Sequence, residues 1–456
     1  MCDGPDEKVT RFERKRVPGK CIKCKRAQPN VTIRGCLYCK PCFVRASVAK
    51  FRTALSKSRK SHPMPVTARA MVAVSGGPAS SAMAQLALDY HRSVAMKGGT
   101  AQPLYADVVI GHVDESALFE QLSGGAGALR VRDVVPEGAA EWFEARLEDV
   151  FAESDGVLLR VAKSGLGEAS DGGRVFAQLA KPADSAPEPP RERLRRLFDG
   201  LASATDREAM LDAVKTELLV RLAQRANCQV LLLGDSATRL ATKVVSLTCR
   251  GRGLSLPLET AAESTWFDGV VVMRPMRDFT AKEVGFFNRW TRQPVVCVPT
   301  FTTGLPFRAS IGRLAESFVA GLDGEFSSTV ATVCRTVHKL EPSPEALQAP
   351  HCVVCAMPAE PSNAQARVPN GATQLTVPSP EQTGTSGKTS LSDQIEVQLC
   401  YSCRNTLGFA AAVPGDLMLP SFCIDRLKNH PVTAGPEGRE VLRKQIAEFL
   451  IDDCEA

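Results

Sequence analysis

Between the apolar run Met71-Val72-Ala73-Val74 and a helical stretch beginning near Ala82, the chain reads Ser75-Gly76-Gly77-Pro78-Ala79-Ser80-Ser81. A glycine pair between a buried strand and a helix lets backbone N–H groups and hydroxyls approach a polyphosphate, and the helix N-terminus adds partial positive charge. Ser75, Gly76, Gly77, Ser80 and Ser81 are therefore candidate nucleotide-binding residues. The same sequence also suits an ordinary strand-to-helix turn, so its meaning depends on the rest of the chain.

From Met64 to about Leu340 strand and helix patterns alternate, which predicts an α/β domain with a doubly wound, Rossmann-like parallel sheet. Strands are expected at Ala70–Val74, Ala106–Val113, Gln229–Leu233, Gly269–Met273 and Pro294–Val298. Thr205 with Glu208 and Thr280 with Glu283 have the spacing of capping boxes. Residues 164–204, rich in Gly, Ala, Pro and Asp, read as a flexible insert. The loop at Ser75 resembles that of the PP-loop ATP pyrophosphatases, Ser-Gly-Gly-x-Asp-Ser, with Ala79 at the Asp position. In such enzymes a carboxylate there helps hold Mg²⁺, which takes oxygen ligands, and a methyl group cannot.

Of sixteen cysteines, eight fall into four Cys-x-x-Cys pairs, a spacing that favours metal over disulfides in a reducing compartment. Cys21, Cys24, Cys39 and Cys42 form one candidate Cys₄ zinc site; Cys36, treated as a spare thiol, offers a Cys36-x-x-Cys39 pairing in place of Cys39-x-x-Cys42. Cys352, Cys355, Cys400 and Cys403 form a second, closing over a Ser/Thr/Pro/Gln-rich insert at residues 361–392 that reads as disordered. Three regions are expected: a basic arm with a zinc knuckle and helix over 1–62, the α/β domain over 63–340, and a linker, zinc ribbon and terminal helix over 341–456. No apolar stretch follows Met1 and no apolar run reaches membrane-spanning length, so a soluble cytoplasmic protein is expected.

Charge is uneven. Residues 1–62 hold 17 Lys and Arg against 4 Asp and Glu, and the remaining residues sum to −7. A basic segment beside a zinc knuckle points to nucleic acid. Over Phe43–Lys60, Val44, Val48, Phe51 and Leu55 fall at helical spacing. Arg45, Lys50, Arg52, Lys57, Arg59 and Lys60 mostly occupy the other faces, where they either meet solvent or track an RNA backbone.

These pieces in order resemble the cytoplasmic tRNA 2-thiolation protein 2 family almost end to end. The specific matches are Cys21-Ile-Lys-Cys24-Lys, Ser75-Gly76-Gly77-Pro78, Val113-Asp114-Glu115, Gly234-Asp235-Ser236-Ala237-Thr238-Arg239-Leu240, Val272-Met273-Arg274-Pro275-Met276-Arg277-Asp278 and Leu399-Cys400-Tyr401-Ser402-Cys403. The resemblance implies a part in making the 2-thio group of 5-methoxycarbonylmethyl-2-thiouridine at the tRNA wobble position. It also implies a PP-loop partner, tRNA 2-thiolation protein 1, and a thiocarboxylated ubiquitin-related modifier as sulfur donor. The uridine C2 oxygen would be adenylated with loss of pyrophosphate, and sulfur would then displace it with AMP.

An active thiolase of this class should carry the loop Asp, a Gly-His-Asn-Ala-Asp-Asp element, and paired catalytic cysteines. Here Ala79 replaces the first, and Thr238 and Arg239 stand at the acidic pair. Cys228, Cys249, Cys297 and Cys334 are all single. The expectation is a catalytically reduced subunit that binds tRNA and scaffolds its partner, with two structural zinc ions. Asp235 leaves either a residual nucleotide site or a surface ion pair with Arg239, and Asp114 and Glu115 either face a ligand or cap a helix. Two alternatives stay open: an ATP-dependent tRNA sulfurtransferase in its own right, and a zinc-dependent nucleic-acid module unrelated to thiolation.

Overall fold

The computed structural model describes residues 19–65, 67–95, 104–119, 130–151, 157–163, 175–180, 188–267, 269–296, 299–326, 328–359, 398–410 and 416–429. By contacts the chain separates into two units: Met1–Asp149 with Ser203–Pro342, and Val150–Ala202 with Ser343–Ala456.

The first unit begins with a hairpin, β1 (Val31–Ile33) and β2 (Cys36–Tyr38), followed by α1 (Lys40–Ser61). A sheet is then built from β3 (Arg69–Ala73), β4 (Asp107–Asp114) and β5 (Trp142–Arg146). It continues, after an excursion into the second unit, with β8 (Val230–Leu232), β9 (Glu263–Phe267) and β10 (Val270–Met273). The order is β5-β4-β3-β8-β10-β9, parallel throughout except for β9 at the edge, which runs against β10. The order reverses direction between β3 and β8, the switch point at which open α/β sheets bind ligands.

Helices cover both faces, as parallel strands buried on two sides require. α1, α2 (Pro78–Ala95) and α7 (Ala281–Thr291) share one apolar core with the strands, in which Phe51, Met83, Ile110 and Phe279 are completely buried. α4 (Ala204–Arg225) packs against β4, β5 and β8, and a Cβ added at Gly111 would meet Met71 Sδ of β3 and approach Leu222 of α4. α5 (Ala237–Cys249), α6 (Leu256–Thr260), α8 (Ile311–Glu325) and α9 (Thr329–Val337) complete the unit.

Four expected strands are present. The fifth is not: residues 294–296 are irregular, Val296 N instead donating to Gly76 O at 2.9 Å, and 297–298 lie outside the described residues. The sheet is completed by β5 and β9, whose Trp-Phe-Glu-Ala-Arg and Glu-Ser-Thr-Trp-Phe carry too little apolar continuity to announce buried strands. The Thr280–Glu283 capping box forms. The one expected at Thr205 and Glu208 does not, because Ser203 caps α4; Thr205 Oγ1 instead accepts from Ile311 N, and Glu208 from Thr302. α2 starts at Pro78, ahead of the expected Ala82, since proline suits a first helical turn.

In the second unit β6 (Val157–Lys163), β7 (Val175–Ala180) and β11 (Asp416–Leu419) form an antiparallel sheet of order β11-β6-β7. α3 (Pro190–Asp199) packs beside β11. The stretch read as an insert thus supplies a strand and a helix, and residues 164–174 and 181–187 lie outside the described residues. α10 (Pro344–Gln348) occupies the linker, followed by α11 (Tyr401–Ala410) and α12 (Ser421–Asn429). The insert at 361–392 and the expected terminal helix at Glu437–Ile451 lie outside the described residues. Among the described residues, no helix is long and apolar enough to cross a membrane.

Candidate functional site

The Ser75–Ser81 turn sits at the switch point, and its hydroxyls are spent on the turn itself. Ser81 Oγ, fully buried, donates to Gly76 O and Gly77 O at 2.9 Å each, and Ser80 Oγ donates to Gly77 O at 3.1 Å while accepting from Ser75 N at 3.3 Å. Ser75 Oγ lies 3.2 Å from Ser80 Oγ. Gly76 takes φ +80, the left-handed region that favours glycine, and a Cβ there would lie 3.1 Å from Val131 and 3.1 Å from Val296. Two valines thus occupy the space over the glycine. Opposite, the loop after β8 comes so close that a Cβ at Gly234 would sit 2.9 Å from Ser80 Cα.

Carboxylates around the turn are also committed. Asp235 accepts from Arg274 Nε at 3.1 Å, and that guanidinium, itself buried, also donates to Ala261 O at 2.9 Å. Burial opposes ionisation of Asp235, but Lys243, Arg274 and Arg239 together hold its carboxyl below the usual range. Its ion-pair partner is therefore Arg274, while Arg239 stays exposed. Thr238 Oγ1, at one of the acidic-pair positions, accepts from Ala281 N at 3.0 Å. Asp114 accepts from the amide and hydroxyl of Ser116, and buried Glu115 pairs with Lys215. Burial pushes the lone thiols Cys228 and Cys334 up to about 11, far from thiolate reactivity at neutral pH.

Both Cys₄ sets assemble. In each, the four sulfur atoms lie within 4.8 Å of one another, and Cys36 belongs to neither. Tetrahedral zinc with bonds near 2.3 Å sets its sulfurs about 3.8 Å apart; Cys24–Cys39 is 3.9 Å and Cys355–Cys400 is 3.7 Å. The two leading knuckles share one turn. Lys25 N bonds Cys21 O and Ala356 N bonds Cys352 O, at 2.8 and 2.9 Å, with Lys25 and Ala356 both at positive φ. Cys39 and Cys42 are set by the start of α1, Cys400 and Cys403 by that of α11. Arg426 of α12 holds Val353 O and Val354 O, and Val353 N bonds Gln398 O, tying the second pair of knuckles together. Burial works against the Cys21 thiolate, yet the amides of Cys24, Cys39 and Lys23 bring it down to about 6, whereas burial and its neighbouring thiols push Cys42 up to about 12. Four crowded thiolates repel one another, and a divalent cation at their centre would offset that charge.

The six candidate RNA-contacting residues of α1 divide in two. Lys50 pairs with Glu283, Arg52 lies over Tyr90 and bonds Ser93 Oγ at 3.2 Å, and Arg59 donates to Leu104 O. Arg45, Lys57 and Lys60 are exposed. Val44 and Val48 are half-buried, and the buried stripe runs Cys42, Phe43, Ser47, Phe51, Leu55 and Ser58. Val131, Val296 and Arg274 shape the site without having been singled out for it, although Arg274 lies within the Val272–Asp278 segment.

A parallel sheet of order 3-2-1-4-5 with a Ser-Gly-Gly turn at its switch point, accompanied by two Cys₄ sets, defines a PP-loop-type α/β protein with metal-ready knuckles. A family model described as cytoplasmic tRNA 2-thiolation protein 2 matches residues 310–405. Proteins of that name are 30% identical in Bos taurus, over 96% of this chain and 93% of the relative, and 33% identical in Homo sapiens, over 74% and 71%. The chain belongs to the cytoplasmic tRNA 2-thiolation protein 2 family. Among solved structures it is similar to a U34-tRNA thiolase of Methanococcus maripaludis with a [4Fe-4S] cluster, at 15% identity and TM-score 0.48, covering 76% of this chain and 95% of that one.

Proposed function

We propose that the chain is the catalytically reduced subunit of a cytoplasmic complex that 2-thiolates the wobble uridine of tRNA. It binds tRNA and scaffolds a catalytic PP-loop homologue, tRNA 2-thiolation protein 1, which adenylates the uridine. Sulfur comes from a thiocarboxylated ubiquitin-related modifier. The observation that carries the reading is the closed turn: Val131 and Val296 lie over Gly76, the Ser80 and Ser81 hydroxyls bond the turn's own carbonyls, and Ala79 offers no ligand. A polyphosphate would need that space and Mg²⁺ would need a free carboxylate, but Asp235 is tied to Arg274. The two Cys₄ sets suit structural zinc, which would fix the start of α1 and the ribbon around Cys352 and Cys400.

In a reconstituted complex, Ser75→Ala or Ser80→Ala in this chain should leave the thiolation rate nearly unchanged, while disrupting the partner's acidic loop should abolish it. A large fall in rate from either serine change, with assembly and tRNA binding preserved, would overturn the reading and make this chain a sulfurtransferase in its own right.

A further inference from the structure

At the carboxyl edge of the parallel sheet, away from the closed turn, lies a cleft of about 540 Å³. Met273, the last residue of β10, pairs with Glu263, the first of β9, which places the cleft's inner wall on that edge. Lys57, Lys60 and His62 reach it from the end of α1, Arg277 from the segment after β10, and His338 from the end of α9. Its lining carries three fixed cations, Lys57, Lys60 and Arg277, against one carboxylate, Glu263, which is already held by His62 Nε2 at 3.3 Å.

The walls are fixed in advance. Arg274 N donates to Ala262 O at 2.8 Å and its guanidinium to Ala261 O at 2.9 Å. Ala261, Ala262, Val337 and Leu340 give an apolar surface between the cations. Burial first, then the charge of Arg277, push His338 below the ordinary histidine value, with Asp278 opposing the shift and Arg274 adding to it. A concave site of this size admits about one nucleotide. Cations around an apolar surface match a sugar–phosphate chain, whose phosphates seek Lys and Arg while its riboses and bases seek apolar contact.

We propose that this cleft binds the phosphodiester backbone of single-stranded or loop RNA; the assignment rests on the reading of the chain as a tRNA-handling subunit. Lys57 and Lys60 thereby have a specific place in RNA binding, Arg277 joins them, and Lys50, Arg52 and Arg59 drop out because each is tied into the core side of α1.

The test measures tRNA affinity of the full-length, zinc-loaded protein across salt concentrations. Lys60→Glu/Arg277→Glu is compared with Lys282→Glu/Arg289→Glu, an equal charge reversal on exposed residues of α7. Each lost phosphate contact removes about 0.7 to 0.9 from the slope of log affinity against log salt. The cleft variant should lose affinity at least about tenfold at 100 mM salt and lower the slope by about 1 to 2, with the α7 variant within about threefold of wild type. Lys57→Glu/Lys60→Glu, which leaves half-buried Arg277 in place, should show the same trend if the first variant melts early. Equal losses in both charge reversals would make the effect one of net charge and overturn the assignment. So would unchanged tRNA binding accompanied by lost pyrophosphate binding, which would mark a small-anion site. Wild-type protein that binds no tRNA, alone or with its partner, would overturn the underlying reading as well; wild-type binding that the cleft variants retain would overturn the cleft alone.

Discussion

Glu283 clamps α1 to α7. Its side chain, 9% exposed, takes Lys50 Nζ at 2.9 Å, Arg34 Nη2 at 3.5 Å and the Thr280 amide at 2.8 Å, and Lys50 lies 4.4 Å above the Phe279 ring. Glu283→Ala opens the capping box and strands Lys50, which burial already pushes below the ordinary lysine range. Breaking a buried pair costs about 3 kcal/mol and losing a cap about 1. Because Lys50 is 27% exposed, water recovers part of the first cost, leaving about 3 kcal/mol in all. For a unit of this size that lowers the melting temperature by roughly 5 °C. Lys50→Met keeps the packing on Phe279 and leaves Glu283 bonded to Thr280 N and Arg34, so it should cost under about 1 kcal/mol and should recover part of the loss in the Glu283→Ala background. Calorimetry on the four proteins of this cycle, with tRNA affinity measured alongside, checks the reasoning. Unchanged melting in Glu283→Ala would refute the clamp. If Lys50→Met melted like wild type but weakened tRNA binding as much as loss of Lys60, Lys50 would face RNA and not the core.

Two further outcomes follow from the site. Purified protein should carry about two zinc ions, and Cys24→Ser and Cys403→Ser should each lose about one; metal-free full-length protein would sink both assignments. Asp235 has a depressed pKa in the folded chain, so the stability it contributes is full above its unfolded pKa and fades as pH falls through the folded value. Asp235→Asn should therefore be less stable than wild type near pH 6, with the difference shrinking as pH falls below the ordinary carboxylate range, and a pH-independent difference in denaturant midpoints would argue against the Arg274 pairing.

The sequence revealed most where a feature is local. The Ser-Gly-Gly turn, the Cys-x-x-Cys spacings and the Thr280 capping box each lie within a few residues, and each formed. Strand β5 pairs only because β4 presents an edge to it, so its half-exposed Trp142 and Phe143 leave no clear signature. Thr205 and Glu208 have capping-box spacing, yet tertiary partners at Ile311 and Thr302 claim both side chains. The basic residues of α1 look alike in a helical projection. Glu283, Ser93 and Leu104, more than forty positions away in sequence, decide which of them turn inward. The closure of the turn was equally hidden, since nothing near Gly76 foretells Val131 and Val296.

The pairing of β11 with β6 joins Asp416–Leu419 to Val157–Lys163, and the ribbon needs Cys400 and Cys403 to meet Cys352 and Cys355. A ribosome therefore finishes the whole of Ser203–Pro342 before it releases the last strand of a sheet begun before that segment. Until then β6 and β7 wait as a hairpin with an open edge, a state that invites wrong pairing. A stop codon anywhere between residues 343 and 415 would thus damage a sheet whose other strands were made long before, and its cost would be felt near residue 160 as much as at the new C-terminus.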